Sequence, residues 1–497
     1  METIEQQVRE LFCWLCQTPH PSGEEAALRE RIADRLRGLG LHPWADTRGN
    51  LVCDLPGREG APLTAVQAHI DMVCAVGSPD YVPSRDPIRP IVRDGFLCTA
   101  GESSLGADCG AGAAVMLWLA EHPAPQRPPL RLLFTVDEEV GLGGARDLDP
   151  ACVDGVRYLI NTDGFHWGRI VIGSAGGVRE HFTRALTHSN APELPNGRAY
   201  RLKISGLRGG HSGFDIGKTR ANALILLGEL LREIRMESPF ALIDLSGGTV
   251  FNAIPYEATA DILTIAPAQD AIEKIWDKIY ARIQKNDPDA RLEIQDIDIP
   301  NRVWSGDTAS GLLTVLGGFA DGVYARHPSG VVSDSSNLGH IYYKDGMVCL
   351  DAMLRCMDAQ AEQALQLSHR TVCAMCGFAG QIVSRYPAWP AQDNGTLQTL
   401  AAQCYLDATG QEAEVTVQHV GLEPSHLLAK NEQMECICVG MELLDCHSPQ
   451  ERWKLDTIEP FVEMIQRLLS RLSTAPQPYL KFSPAFFKRP QVLRAEP

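Results

Sequence analysis

The stretch LRLLFTVDEEVGLGGA, residues 130–145, runs an apolar, strand-like segment straight into three adjacent carboxylates, Asp137, Glu138 and Glu139. Side chains alternate faces along a strand, so the two glutamates can serve one site only if the strand ends before them and the backbone turns. Charge at the carboxyl end of a buried strand is what an open α/β sheet places at its ligand-binding edge. The neighbouring pattern agrees: NLVCDLPG and TAVQAHIDMV read as strands, and CGAGAAVMLWLAEH reads as an apolar helix. Strand and helix alternating in this way predict an α/β domain with a mainly parallel central sheet. Ahead of it, SGEEAALRERIADRLRGLG predicts an amphipathic helix, with Ser22 and Glu25 at capping-box spacing and Leu28, Ile32, Leu36 and Leu39 in one stripe.

The texture changes near residue 176. AYRLKISG, RANALILLGELLREIR and ATADILTIA predict a smaller α+β unit, and after about residue 385 the pattern returns to helix and short strand. With 497 residues the chain is long enough for more than one core, and its 44% apolar content supports them. No apolar run reaches the roughly 18 residues of a membrane span. The acidic amino terminus lacks the form of a secretory signal, so a cytoplasmic location is expected. A net charge of −17 argues against nucleic acid or an anionic membrane as partner. The fifteen cysteines are scattered, which points to reduced and mostly buried thiols; this includes the C-x-x-C pairs Cys13/Cys16 and Cys373/Cys376.

Chemistry concentrates at predicted strand ends and helix entries. His69 and Asp71 lie two apart in AHIDMV, Asp108 sits in a Gly-rich loop before a helix, the DEE run follows, and Asp163 ends YLINTDG. Imidazole and carboxylate donors suit a divalent cation, above all zinc. A carboxylate such as Asp108 can bridge two ions, and a neighbouring glutamate that is not a ligand can take a proton from water. Taken alone, Arg355 reads as a surface ion pair, while a turn histidine is the alternative for His211 and a solvated glutamate the alternative for Glu423. GADCGAGAA lacks both the Walker lysine and a preceding βα fingerprint, which disfavours a nucleotide loop.

The ordered set HPSGEE, AHIDMV, LGADCGAG, FTVDEEVGL, NTDG, AGG, GLRGGHSG, FNAIP, HVGLE and CHSPQE resembles the aminoacyl-histidine dipeptidases, also called cytosol non-specific dipeptidases or peptidase D. These are co-catalytic zinc peptidases related to carnosinases, and the resemblance runs from about residue 5 to 472. It implies two divalent ions, most readily zinc, with manganese or cobalt as alternatives. His69 and Asp163 would hold one ion, Glu139 and His447 the other, and Asp108 both. Asp71 would support His69, Glu138 would be the general base, and His211 would reach a substrate oxygen, often from a partner subunit. Asn252 and Arg355 would bind the carboxyl end of a dipeptide, and Glu423 its free amino end. The implied organisation is a catalytic domain in two segments, 1–175 and 386–475. Between them lies a lid or dimerisation domain, 176–385, through which a homodimer would form, and residues 476–497 are a tail.

Several positions depart from that family. Cys109 stands where it has asparagine, GFHWG replaces an acidic stretch, Phe251 replaces arginine, and GLEPSH replaces a Cys-Gly pair. The departures surround the pocket, so they bear on substrate preference more than on metal chemistry. An N-acyl amino acid amidohydrolase on the same scaffold is the alternative, and an inert binding protein a third reading.

Overall fold

The computed structural model describes residues 2–124 and 126–474, so the tail expected at 476–497 lies outside the described residues. The expected fold class is observed: an α/β unit built on a largely parallel sheet, plus an inserted antiparallel unit. Eight strands form the first sheet. Its centre is Leu130–Thr135, Thr64–His69, Tyr158–Asn161 and Glu435–Cys438, each parallel to the next. Antiparallel pairing enters on either side of this centre, where Leu51–Leu55 joins Leu130–Thr135 and Glu435–Cys438 meets Arg169–Ser174.

Every residue of Thr64–His69 is buried, because helices cover both faces. On one face Val66, Ala68, Leu132 and Phe134 pack with the helices Ile4–Leu15, Ala107–Glu121 and Ile458–Leu472. On the other, Ala65, Leu133 and Leu159 pack with Ala145, Leu148 and Leu427. The two-residue periodicity of the strands thus feeds two cores.

The second helix begins later than its spacing predicts. It spans Ala26–Gly38 and has no side-chain cap bond. Ser22 is drawn away by tertiary structure, its hydroxyl donating to Asp71 Oδ2 at 2.8 Å, while Glu25 Oε1 accepts from the amides of Gly23 and Asp137. Leu28, Ile32 and Leu36 are buried as the stripe requires, but Leu39 is 44% exposed.

The inserted unit is a nine-stranded sheet, antiparallel throughout, whose strands lie between Gly176 and Tyr386. Helices Ala223–Glu237 and Gly306–Gly318 contribute to its separate core. The chain enters and leaves this unit side by side, as Ser174 and Trp389 exchange backbone hydrogen bonds of 2.8 and 2.9 Å. Gly177 is needed there, since a Cβ would lie 2.3 Å from the Tyr386 ring. Gly177→Ala is therefore expected to lower stability by about 1–3 kcal/mol through overpacking, read as a reduced Tm. An unchanged Tm would show that Tyr386 moves freely.

Candidate metal centre and cleft

Three adjacent parallel strands end at one edge of the first sheet and deliver most of the predicted site. His69 is the last residue of its strand. Asp163 follows the strand ending at Asn161, and Glu138 and Glu139 follow the one ending at Thr135. The turn that frees the two glutamates is made by Asp137, whose φ is +57°, and is held by Asp71. Asp71 Oδ1 and Oδ2 accept the amides of Glu138 and Glu139 at 3.0 and 3.1 Å. Burial alone would raise the Asp71 carboxyl, but His69 and the Glu138 amide outweigh it and bring it to about 2. The nearest acceptor for His69 Nδ1 is the Asp71 carbonyl at 3.0 Å, with the carboxylate at 3.5 Å.

Asp108 arrives from the segment entering the Ala107–Glu121 helix. Glu451, far along the chain, clamps that segment: one oxygen accepts from Leu105 N and Gly106 N, and the other from Ala107 N and Asp108 N, at 2.8–3.3 Å. Glu451, the last residue of CHSPQE, carries no functional expectation from sequence. His447 adopts φ +61°, in the left-handed region that side chains other than glycine rarely occupy, a strain often found at functional sites.

Asp108 faces both histidines with opposite oxygens, Oδ1 3.1 Å from His69 Nε2 and Oδ2 2.9 Å from His447 Nε2. Asp163 Oδ1 lies 3.6 Å from His69 Nε2, and Glu139 Oε1 lies 3.1 Å from His447 Nε2. Neither of these two carboxylate oxygens receives a hydrogen bond among the described residues, although both are buried. Two donors bound to one zinc at about 2.0–2.2 Å in tetrahedral array sit about 3.3–3.6 Å apart. The His69–Asp163 pair has that spacing and the other pairs, at 2.9–3.1 Å, are closer; the donor types and the orphaned oxygens fit divalent cations, because buried charges are otherwise paired. Three overlapping donor groups emerge at this edge: Asp108 with Glu139 and His447, His69 with Asp163 and Cys109, and His69 with Glu138 and Glu139.

The cluster opens on a cleft of about 760 Å³, whose wall includes Glu138, Glu139, Asp108, Asp163 and His447 and also His211, Arg355, Tyr386 and His419. His211 reaches this wall within its own chain. Arg355 is 5% exposed, so it is not a surface charge. Its Nη1 donates to the Tyr386 hydroxyl at 2.6 Å, its Nε lies 3.4 Å from Ser212 Oγ, and it has no carboxylate partner among the described residues. Tyr386, Ser212 and His419 had drawn no functional expectation. Their involvement depends on strands from both units meeting, which local patterning does not reveal.

Two expected substrate contacts stand apart from the cleft wall. Asn252 lies in a turn, its carbonyl accepting from Ser212 N at 2.8 Å. Glu423 is fully buried, not solvated, and its Oε2 accepts from Gln67 Nε2 at 2.5 Å. Burial pushes the Glu423 carboxyl up to about 7. Phe165 and His166, from the divergent GFHWG segment, line the cleft, whereas Cys109 and Phe251 are not on its wall.

The neighbouring carboxylates of Asp108 and Glu139 raise His447 to about 10. Burial would depress His69, but Asp108, Asp163 and Asp71 outweigh it and raise it well above its ordinary value. A cation must displace these protons, so lowering the pH below about 10 makes competition steadily stronger. Zinc added to chelator-treated protein at pH 7 in weak buffer is therefore expected to acidify the solution, with affinity falling at lower pH. Proton-neutral binding would contradict this ligand set.

The profile of peptidase family M20/M25/M40 matches residues 65–471. The cytosol non-specific dipeptidase of Escherichia coli K12 is 28% identical over 480 residues, covering 94% of this chain and 98% of its own length. The crystal structure of an aminoacylhistidine dipeptidase from Vibrio alginolyticus superposes with a TM-score of 0.87 at 26% identity, covering 96% of this chain and 99% of that one. Human carnosine dipeptidase 1, at 12% identity and a TM-score of 0.52 over 95% of this chain and 97% of its own, shares the fold. The chain is a member of peptidase family M20/M25/M40.

Proposed function

We propose that the protein hydrolyses dipeptides in the cytoplasm, using two divalent cations, with zinc favoured over manganese or cobalt. One observation carries this reading: a metal-type donor cluster shares a cleft with a buried arginine that has no counter-ion among the described residues. A planar guanidinium binds a carboxylate through paired hydrogen bonds, and the free carboxyl end of a dipeptide is such a group. The names of the Escherichia and Vibrio relatives, a cytosol non-specific dipeptidase and an aminoacylhistidine dipeptidase, support the same substrate class and location. A homodimer through the inserted unit belongs to the reading.

Cations held by His69, Asp108, Asp163, Glu139 and His447 would polarise the scissile carbonyl and acidify the attacking water. Glu138 accepts the proton of that water and returns it to the leaving amine. Burial raises its carboxyl well above the ordinary range; the charge of His69 opposes this, and Asp163, Glu423 and Glu139 reinforce it. The group is thereby a stronger base than a solvated glutamate.

His211 Nδ1 accepts from the amides of Gly213 and Phe214 at 3.2 and 3.3 Å, so in the neutral ring Nε2 carries the proton. Burial, followed by the charge of Arg355, lowers His211 to about 4 and keeps it neutral at pH 7. Its Nε2 and Arg355 Nη2 are both donors yet lie 3.4 Å apart, an arrangement that favours a shared acceptor. A substrate oxygen placed between them satisfies both.

The second reading, an N-acyl amino acid amidohydrolase, is favoured by the placement of Glu423 off the cleft wall. Glu414, which does line the cleft, is paired with Arg169 at 2.8 Å. A panel of dipeptides and N-acyl amino acids separates the two. The zinc-loaded protein is expected to cleave dipeptides, a chelator to stop it, and Glu138→Gln to lower kcat by roughly 10²–10⁴-fold with bound zinc unchanged. Cleavage of N-acyl substrates alone would move the assignment to the second reading, and near-normal turnover by Glu138→Gln would remove Glu138 as the base.

A further inference from the structure

Cys109 directly follows the carboxylate that faces both histidines, and it is 1% exposed. Its Sγ, a His69 ring nitrogen and an Asp163 carboxylate oxygen all lie within 4.8 Å of one another. Asp163 Oδ1 supplies an independent sign of a ligand, since it is buried without a hydrogen-bond donor among the described residues. The sulfur is packed in place: Thr162 Oγ1 is 3.9 Å away, and a Cβ at Gly112 would come within 3.0 Å of it. The dipeptidases that the chain resembles carry asparagine here. An amide is a hard donor, whereas sulfur is soft and favours zinc, cobalt or cadmium over manganese or magnesium.

We infer that Cys109 Sγ is a ligand of the cation held by His69 and Asp163, an inference that rests on the dinuclear reading above. On binding, a sulfur–metal bond replaces the S–H bond and the proton passes to solvent. Cys109, His69, Asp163 and Asp108 then give that position four protein donors. The position of Asp108, Glu139 and His447 has three, the number that leaves an opening for water and substrate. The sulfur therefore holds the inner ion, and exchange and chemistry concentrate at the outer one.

Cobalt substitution reads this directly, because a cysteine sulfur bound to Co²⁺ gives a charge-transfer absorption in the near ultraviolet that nitrogen and oxygen ligands do not. The full-length protein with two equivalents of Co²⁺ is expected to show this band beside the visible absorption of bound cobalt. Cys109→Asn is expected to lose the near-ultraviolet band while still binding two ions. Cys446→Ser, altering the thiol next to His447, is expected to keep it. Wild-type protein that binds two cobalt ions without the band would overturn the inference and leave the dinuclear reading intact, and so would persistence of the band in Cys109→Asn. Failure to bind cobalt at all would overturn both.

Discussion

Burying carboxylates is costly unless each receives a counter-group, and this chain buries many of them at the end of one sheet. It divides them into two kinds. Asp71, Glu25 and Glu451 accept backbone amides and a serine hydroxyl, and so shape the loops. Asp163 and Glu139 each keep a buried oxygen that accepts no hydrogen bond among the described residues. The first kind stabilises the architecture of the site. The second offers oxygen donors of the type a divalent cation takes, and the two imidazoles at its edges suit the same ions.

The inserted unit completes this arrangement from the opposite direction. Its strand Met347–Cys356 carries Arg355, and its strand Ala379–Tyr386 ends on the tyrosine whose hydroxyl receives the guanidinium. The same tyrosine ring packs against Gly177 and Gly421, where the two units meet. The placement of Arg355 and the crossing between units thus depend on one side chain. A dipeptide held between the arginine and the ligand cluster would be bound at both its terminus and its scissile bond, which fixes register before chemistry.

The sheet and the chemistry at its edge were legible because both follow from local pattern. Strands that stop at His69, Thr135 and Asn161 leave polar residues at the sheet edge, and periodicity reports that directly. What local pattern could not report were partners far apart in the chain. Ser22 reads as a helix cap but binds Asp71, 49 positions away. Glu451 looks like the end of a loop motif but holds Leu105 N, 346 positions away. Arg355 and Glu423 admit a reading as surface charges because their burial is imposed by neighbouring elements, and only tertiary packing separates one as a cleft donor from the other as an interior group.

The proposed chemistry requires two cations that share Asp108. Diffraction from zinc-soaked crystals, recorded on both sides of the zinc absorption edge, tests it most directly. The account predicts two anomalous peaks about 3.5–4 Å apart, one among His69, Asp108 and Asp163 and one among Asp108, Glu139 and His447. A single peak, or peaks away from these side chains, would contradict it.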